Sequence, residues 1–226
     1  MTIAKTTSAD RVAIQRDSVR LAAELILPAG TPPFACVVFV HGLGSGKDSP
    51  RNVVVASRLV DAGIAALLFD LSGHGESDHD PRGEEAVVED LEAVFDWARA
   101  RPEIDPDLIG VAGSSLGGVV TLEATRRRLI HPAALVLRAP PAEPHEFAHI
   151  DVPTLVIAGS LDPLLPMIRQ ATAATDAATL AEVQGAGHLF EEPGTLEQAV
   201  QQTVEWFEGH LRGTPEPLIR NLREVD

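Results

Sequence analysis

The sequence predicts an α/β fold with a mostly parallel central sheet and helices on both faces. Two observations carry this expectation. From about residue 35 onward, short β-branched apolar runs alternate with longer amphipathic stretches, the pattern of repeated strand–helix units. The apolar runs also lack polar alternation, as strands covered on both faces do.

In chain order, residues 12–14 and 21–27 are expected to form an antiparallel pair at one edge of the sheet. Parallel strands are then expected at 35–40, 64–69, 108–112, 133–137, 154–158 and 179–183. Helices are expected at 51–62, 84–100, 116–129, 165–175 and 196–211. Within 84–100, Val87, Val88, Leu91, Val94, Phe95 and Ala98 recur at helical spacing and share one face. Pro102 ends that helix because proline cannot continue one. With no internal repeat or linker, residues 1–226 read as a single domain. Pro215 and Pro217 mark a surface tail from about residue 213.

Composition narrows the function classes. The chain is 45% hydrophobic, which argues for a packed core and against disorder. No apolar run reaches the roughly 18 residues that cross a bilayer, and Met1–Asp10 has no apolar secretory core. Cys36 is the lone cysteine, so a cytoplasmic location is expected. The net charge of −15 argues against nucleic acid and anionic membrane as partners. Nothing in the sequence sets an oligomeric state.

Gly113-Ser114-Ser115-Leu116-Gly117 matches G-x-S-x-G between an expected strand and an expected helix, the context this nucleophile turn requires. Ser114 occupies the variable position, so Ser115 is the candidate nucleophile. Gly113 and Gly117 are expected because a Cβ there would collide as strand and helix close together. A serine hydroxyl needs a base to take its proton, and in this type of hydrolase the acid and then the histidine follow the serine. His188 sits in Gly185-Ala186-Gly187-His188-Leu189-Phe190 after the last strand and is the candidate base. His131 begins a strand and His210 lies late in a helix. His145 and His149, in a short polar connection, are candidates for the mouth of the site. The strand at 154–158 runs into Gly159-Ser160-Leu161-Asp162-Pro163, which makes Asp162 the candidate orienting acid. An aspartate before Pro163 also suits a helix cap. Asp176 is the alternative acid.

Phe39-Val40-His41-Gly42-Leu43-Gly44-Ser45-Gly46 follows the first central strand. The backbone N–H groups of Leu43 and Leu116 are the candidate oxyanion hole, and His41 is read as a brace for the glycine-rich loop. A phosphate-binding loop is excluded because His41 and Asp48 stand where Gly and Ser or Thr are needed. The glycine spacing fails the dinucleotide fingerprint as well. The histidine- and acid-rich loop 74–80 reads as a solvated loop beside the site; neither a metal nor a cofactor is expected.

His41-Gly42, Ser49-Pro50-Arg51-Asn52, Leu67-Leu68-Phe69-Asp70-Leu71, the elbow at Ser115 and His188-Leu189-Phe190-Glu191-Glu192-Pro193-Gly194 carry a family likeness. Over nearly its whole length the chain resembles the dienelactone-hydrolase-like branch of the α/β-hydrolase superfamily. The last stretch is similar to stand-alone or phosphoribosyltransferase-fused hydrolases. The resemblance implies the α/β-hydrolase fold. Dienelactone hydrolases proper use a cysteine nucleophile; Ser115 here implies a carboxylesterase acting on small or short-acyl esters. A thioesterase, lactonase or amide hydrolase would use the same three residues, and a transferase or a non-catalytic binding protein are the other classes weighed. Many relatives insert a lid where this chain has only residues 138–150, three of them prolines, so no sizeable lid is expected.

Overall fold

The computed structural model describes residues 8–211; the expected surface tail lies outside them. The chain opens on a hairpin of β1 (Ser8–Arg16) and β2 (Val19–Leu27), joined by Asp17-Ser18 with Asp17 at a φ of 50°. There follow β3 (Phe34–Val40), α1 (Pro50–Asp61), β4 (Ala65–Phe69), α2 (Val87–Arg99), β5 (Ile104–Ser114) and α3 (Leu116–Arg126). The second half contains β6 (Ala134–Arg138), α4 (Pro144–Phe147), β7 (Thr154–Gly159), α5 (Leu165–Thr172), β8 (Ala178–Val183) and α6 (Thr195–Leu211).

The eight strands form one sheet in the order β1-β2-β4-β3-β5-β6-β7-β8. The two pairings that involve β2 are antiparallel and every pairing from β4 through β8 is parallel. Period-two alternation along β3 divides the core. Val37 and Phe39 pack with Val55, Leu59, Val200 and Phe207 of α1 and α6. Val38 and Val40 pack with Leu91, Val94, Phe95 and Val120 of α2 and α3 on the opposite face. A third cluster joins Leu137 and Val156 to Phe147 of α4 and to Leu165 and Ile168 of α5. All five residues of β4 are buried, which explains the unbroken apolar run.

The differences from expectation concern the ends of elements and one short additional helix. The helix expected at 84–100 starts as a 3₁₀ turn, Gly83–Ala86, and becomes α-helical at Val87. The helix expected at 116–129 stops at Arg126. There Arg128 N–H donates to the Thr125 carbonyl and Leu129 N–H to the Ala124 carbonyl. This is a Schellman closure, with Arg128 at a φ of 58° where glycine is usual. Apolar periodicity runs on through such a cap, so it cannot reveal it. Helix α4 was not expected; Glu143 and Glu146 close it with a reciprocal capping box.

Between β6 and β7, α4 is the only helix, so the carboxyl edge of the sheet carries no sizeable lid among the described residues. The strand order reverses about β3, whose neighbours β4 and β5 lead away in opposite directions. Open parallel sheets gather their sites at the carboxyl ends of strands about such a switch point. Gly110 lets α6 lie close to β5: a Cβ there would be 2.5 Å from Phe207 Cε1. Gly110→Ala is therefore expected to lower stability by roughly 1–3 kcal/mol, read as the urea midpoint. Phe207→Leu in the same chain is expected to recover part of that loss; strictly additive effects would show that the two positions do not press on each other.

Candidate active site

Ser115 lies between the end of β5 and the first residue of α3, with φ 49° and ψ −119°. Holding a non-glycine residue there costs about 1–3 kcal/mol, so the surroundings must impose it. Its N–H donates to the Arg138 carbonyl at 2.9 Å and its carbonyl accepts from Gly118 N–H at 2.8 Å. A Cβ on Gly113 would meet the Gly117 carbonyl oxygen at 2.6 Å, and one on Gly117 would strike the carbonyl oxygens of Val40 and His41. Both glycines are thus required by close backbone approach, as their place in the motif suggested.

The candidate acid and base come from the loops after β7 and β8. Leu161 N–H donates to the Ala186 carbonyl at 2.9 Å, and Gly185 N–H to Ser160 Oγ at 2.8 Å. A Cβ on Gly159 would strike the Ala186 carbonyl oxygen, so the loops touch backbone to backbone. Asp162 is 4% exposed. Its Oδ1 accepts from Leu164 N–H at 2.9 Å while its Oδ2 lies 2.8 Å from His188 Nδ1. The carboxylate thus serves the helix-start turn and the histidine together. His188 Nε2 lies 3.3 Å from Ser115 Oγ. The structure brings Ser115, His188 and Asp162 into one hydrogen-bonded chain; Asp176, the alternative acid, has no part in it.

The glycine-rich loop after β3 is held from two sides. His41 Nδ1–H donates to the Gly42 carbonyl at 2.9 Å, and its Nε2 accepts from Leu71 N–H at 3.0 Å. Burial pushes its pKa below the ordinary histidine value, with the like charge of His74 adding to the shift against the opposing hydrogen bond to Gly42. Further along, Lys47 N–H donates to Asp70 Oδ1 at 2.6 Å, and Lys47 Nζ reaches Asp70 Oδ2 at 3.1 Å and Glu76 Oε2 at 2.6 Å. This pins the loop to the end of β4. Leu43 is 69% exposed and lines the cavity over Ser115. As the first residue of α3, Leu116 has one of the amino-terminal N–H groups that no turn of the helix satisfies.

That cavity has a volume of about 230 Å³ and is lined by Ser115, His188, Leu43, Arg51, Asn52 and Arg138, among others. His145 and His149 do not line it. His149 borders a separate depression with His131 and Asp151 at the amino ends of β6 and β7. The loop 74–80 does not line it either: Asp78 pairs with Arg20, Asp80 with Arg16 and Arg82, and Glu76 with Lys47. Its carboxylates are taken up by cations. A larger depression of about 640 Å³ between α1 and α6 carries no nucleophile.

Three contributors went unassigned at the level of sequence. Arg138 Nη2 donates to Ser114 Oγ at 2.7 Å and to Asn52 Oδ1 at 2.9 Å. Glu192 accepts from Gly187 N–H at 3.0 Å and so fixes the histidine loop; this bond, with further backbone hydrogen bonds, lowers its pKa. Lys47 and Asp70 are the third. The one available signal was Arg138, a charge ending an otherwise apolar strand at the sheet edge where sites form.

With this geometry in view, the likeness to known proteins is informative. A family described as serine aminopeptidase, S33, matches residues 31–148, more than half of the chain. A dienelactone hydrolase from Anabaena variabilis superposes with a TM-score of 0.80 at 31% identity, over 91% of this chain and 99% of that one. The chain belongs to the α/β-hydrolase family and is dienelactone-hydrolase-like. A lidless α/β serine hydrolase from Xanthomonas campestris shares the fold, with a TM-score of 0.78 at 23% identity over 92% of this chain and 97% of that one. A putative phosphoribosyl transferase of Mycobacterium tuberculosis is 34% identical over 215 residues, which are 90% of this chain and 47% of that protein. This α/β-hydrolase thus spans about half the length of the curated relatives it matches first.

Protonation of His41 would break its bond from Leu71 N–H. Because its native pKa lies below the unfolded value of about 6.5, the unfolded chain binds more protons in the intervening range. The stability His41 contributes is therefore fully present above about pH 6.5 and lost as pH falls below it. His41→Gln is expected to lower the urea midpoint at pH 8 and to flatten its decline between about pH 6.5 and 5; an unchanged decline would count against His41 as the source.

Proposed function

We propose that this hydrolase is a serine esterase working as a single domain, cleaving small or short-acyl esters through an acyl-enzyme on Ser115. The observation that carries the reading is the hydrogen-bonded chain from Ser115 Oγ through His188 to Asp162 at the floor of a small cavity. In this mechanism Ser115 Oγ attacks the ester carbonyl carbon and its proton passes to His188 Nε2. Asp162, buried beside Nδ1, holds the tautomer that leaves Nε2 free to accept and stabilises the imidazolium that results. At 3.3 Å, Ser115 Oγ lies within reach of His188 Nε2 for that transfer.

The charge gathering on the carbonyl oxygen is met by the N–H groups of Leu43 and Leu116, each such donor being worth about 10²–10³ in rate. Leu116 also places that oxygen at the positive end of α3. Collapse of the intermediate breaks the ester C–O bond, and His188 returns its proton to the departing alcohol. Water then repeats the sequence on the acyl group, freeing the acid and restoring Ser115. The same residues would serve a thioester, lactone or amide. The small cavity, with no sizeable lid over it among the described residues, favours short acyl chains.

Hydrolysis of p-nitrophenyl butyrate is expected to fall by at least about a thousandfold in Ser115→Ala. His188→Ala and Asp162→Asn are expected to lose about 10²–10⁴. Retention of most activity in Ser115→Ala would overturn the assignment. Across acyl esters of rising chain length, kcat/KM is expected to peak at short chains with no jump where the ester forms micelles; such a jump would argue for an interface-activated lipase instead.

A further inference from the structure

The cavity over Ser115 is cationic in a protein of net charge −15. Its charged lining is Arg51 and Arg138; no aspartate or glutamate is among its lining residues. Arg138 is half-buried at the end of β6. A guanidinium has five N–H donors, yet here Nη2 alone is engaged, by Ser114 Oγ and Asn52 Oδ1, both neutral acceptors. Nε and Nη1 donate to nothing among the described residues, and neither is sealed from solvent. No carboxylate lies within ion-pair distance of Arg138 among the described residues. Arg16 offers a contrast, sharing its burial with Asp80 and Asp90.

The neighbouring cation adds to this imbalance. Among the described residues Arg51, 30% exposed, has one ion pair, with Glu191 at 3.9 Å, and Glu191 is 71% exposed. Such a long, exposed pair contributes little. Burial, with the like charge of Arg51, lowers the Arg138 pKa to about 10, so its charge is held at a cost that an incoming anion would relieve. The partial burial of a charge without a counter-ion is uncommon unless something else supplies one.

We propose that Arg138, with Arg51, forms an anion subsite, and that the substrates are small esters bearing a carboxylate on the portion that lies beside Ser114. This deepens the esterase reading and rests on it. Hydrogen bonds to an ionised acceptor are the stronger ones, and with Nη2 taken Arg138 has Nε–H and Nη1–H left to donate singly to a carboxylate oxygen. Ser114 and Asn52 hold Nη2 and so fix the plane of the guanidinium. A cavity of about 230 Å³ suits a small hemiester better than a bulky one. The acidic surface does not oppose this, because solvent charges more than about 8 Å away are screened at physiological salt while the two arginines lie within the cavity.

The test compares matched esters that differ in charge: p-nitrophenyl hemiglutarate against p-nitrophenyl pentanoate, and the hemisuccinate against the butyrate. The wild type is expected to prefer the charged member by roughly ten- to hundredfold in kcat/KM, the range of a charge-assisted pair. The preference is read as a ratio within each protein, so a general loss of activity cancels. Arg138→Gln is expected to abolish it, Arg51→Gln to reduce it severalfold, and Arg138→Lys to restore part of it. If Arg138 acts on the developing oxyanion instead, Arg138→Gln slows both esters equally, and the unchanged ratio overturns the proposal. A wild type without preference overturns it as well. Calorimetric titration of succinate into wild type and Arg138→Gln reads the subsite without turnover. Succinate binding lost in Arg138→Gln, with no ester cleaved, would retain the subsite and reject the esterase reading. Absence of succinate binding, or tighter binding of inorganic phosphate than of succinate, would reject the carboxylate subsite.

Discussion

The backbone of the turn that carries Ser115 is pressed against the end of β3, and the rest of the site is arranged around that contact. Gly117 faces the carbonyls of Val40 and His41 with no space for a methyl group, and Gly113 faces Gly117 in the same way. With the two segments this close, Ser115 is held at a φ of 49°, and its hydroxyl is lifted over the carboxyl edge of the sheet. The contact also fixes how near the Gly42–Leu43 segment comes to the start of α3. The strain at one residue and the spacing between the loop after β3 and the start of α3 thus follow from one steric fact. The Arg138 carbonyl, which accepts from Ser115 N–H, extends the same registration to β6.

A second close approach, between Gly159 and Ala186, couples the acid loop to the histidine loop. It sets how His188 meets both Asp162 and Ser115; in the proposed mechanism an error of an ångström in either bond would spoil proton transfer. Glu192 and Asp162 reinforce the arrangement by accepting backbone N–H groups of their own loops. The Lys47–Asp70 pair is of a related kind. Buried pairs are poor sources of net stability, since desolvation offsets their attraction. This one ties the glycine-rich loop after β3 to the end of β4 by hydrogen bonds in fixed directions.

Charge is distributed on two scales. Over the whole molecule acid predominates, which bears on solubility and on the partners it repels. At the cavity the balance is inverted by two arginines brought from the start of α1 and the end of β6. Some carboxylates elsewhere are taken up locally: Asp80, Asp90 and Glu89 surround Arg16, and Glu182 takes up Arg169. An average over the sequence therefore says little about the field a substrate meets.

The sequence by itself determined the parallel sheet, the order of its strands and helices, and the identity of Ser115, Asp162 and His188 as the residues to consider. Those features are written in local terms: uniform apolar runs, helical spacing, glycines at a turn, and a loop after a strand. Helix ends were less legible, as at Arg128, because a left-handed cap formed by a non-glycine residue leaves the apolar period undisturbed. The roles of Lys47, Glu192 and above all Arg138 were decided only by the tertiary structure. Arg138 and Asn52 are 86 residues apart, and nothing local says that one will hold the other. Whether an arginine is neutralised depends on which carboxylates the fold brings near it, and that is a property of distance in space, which sequence order does not carry.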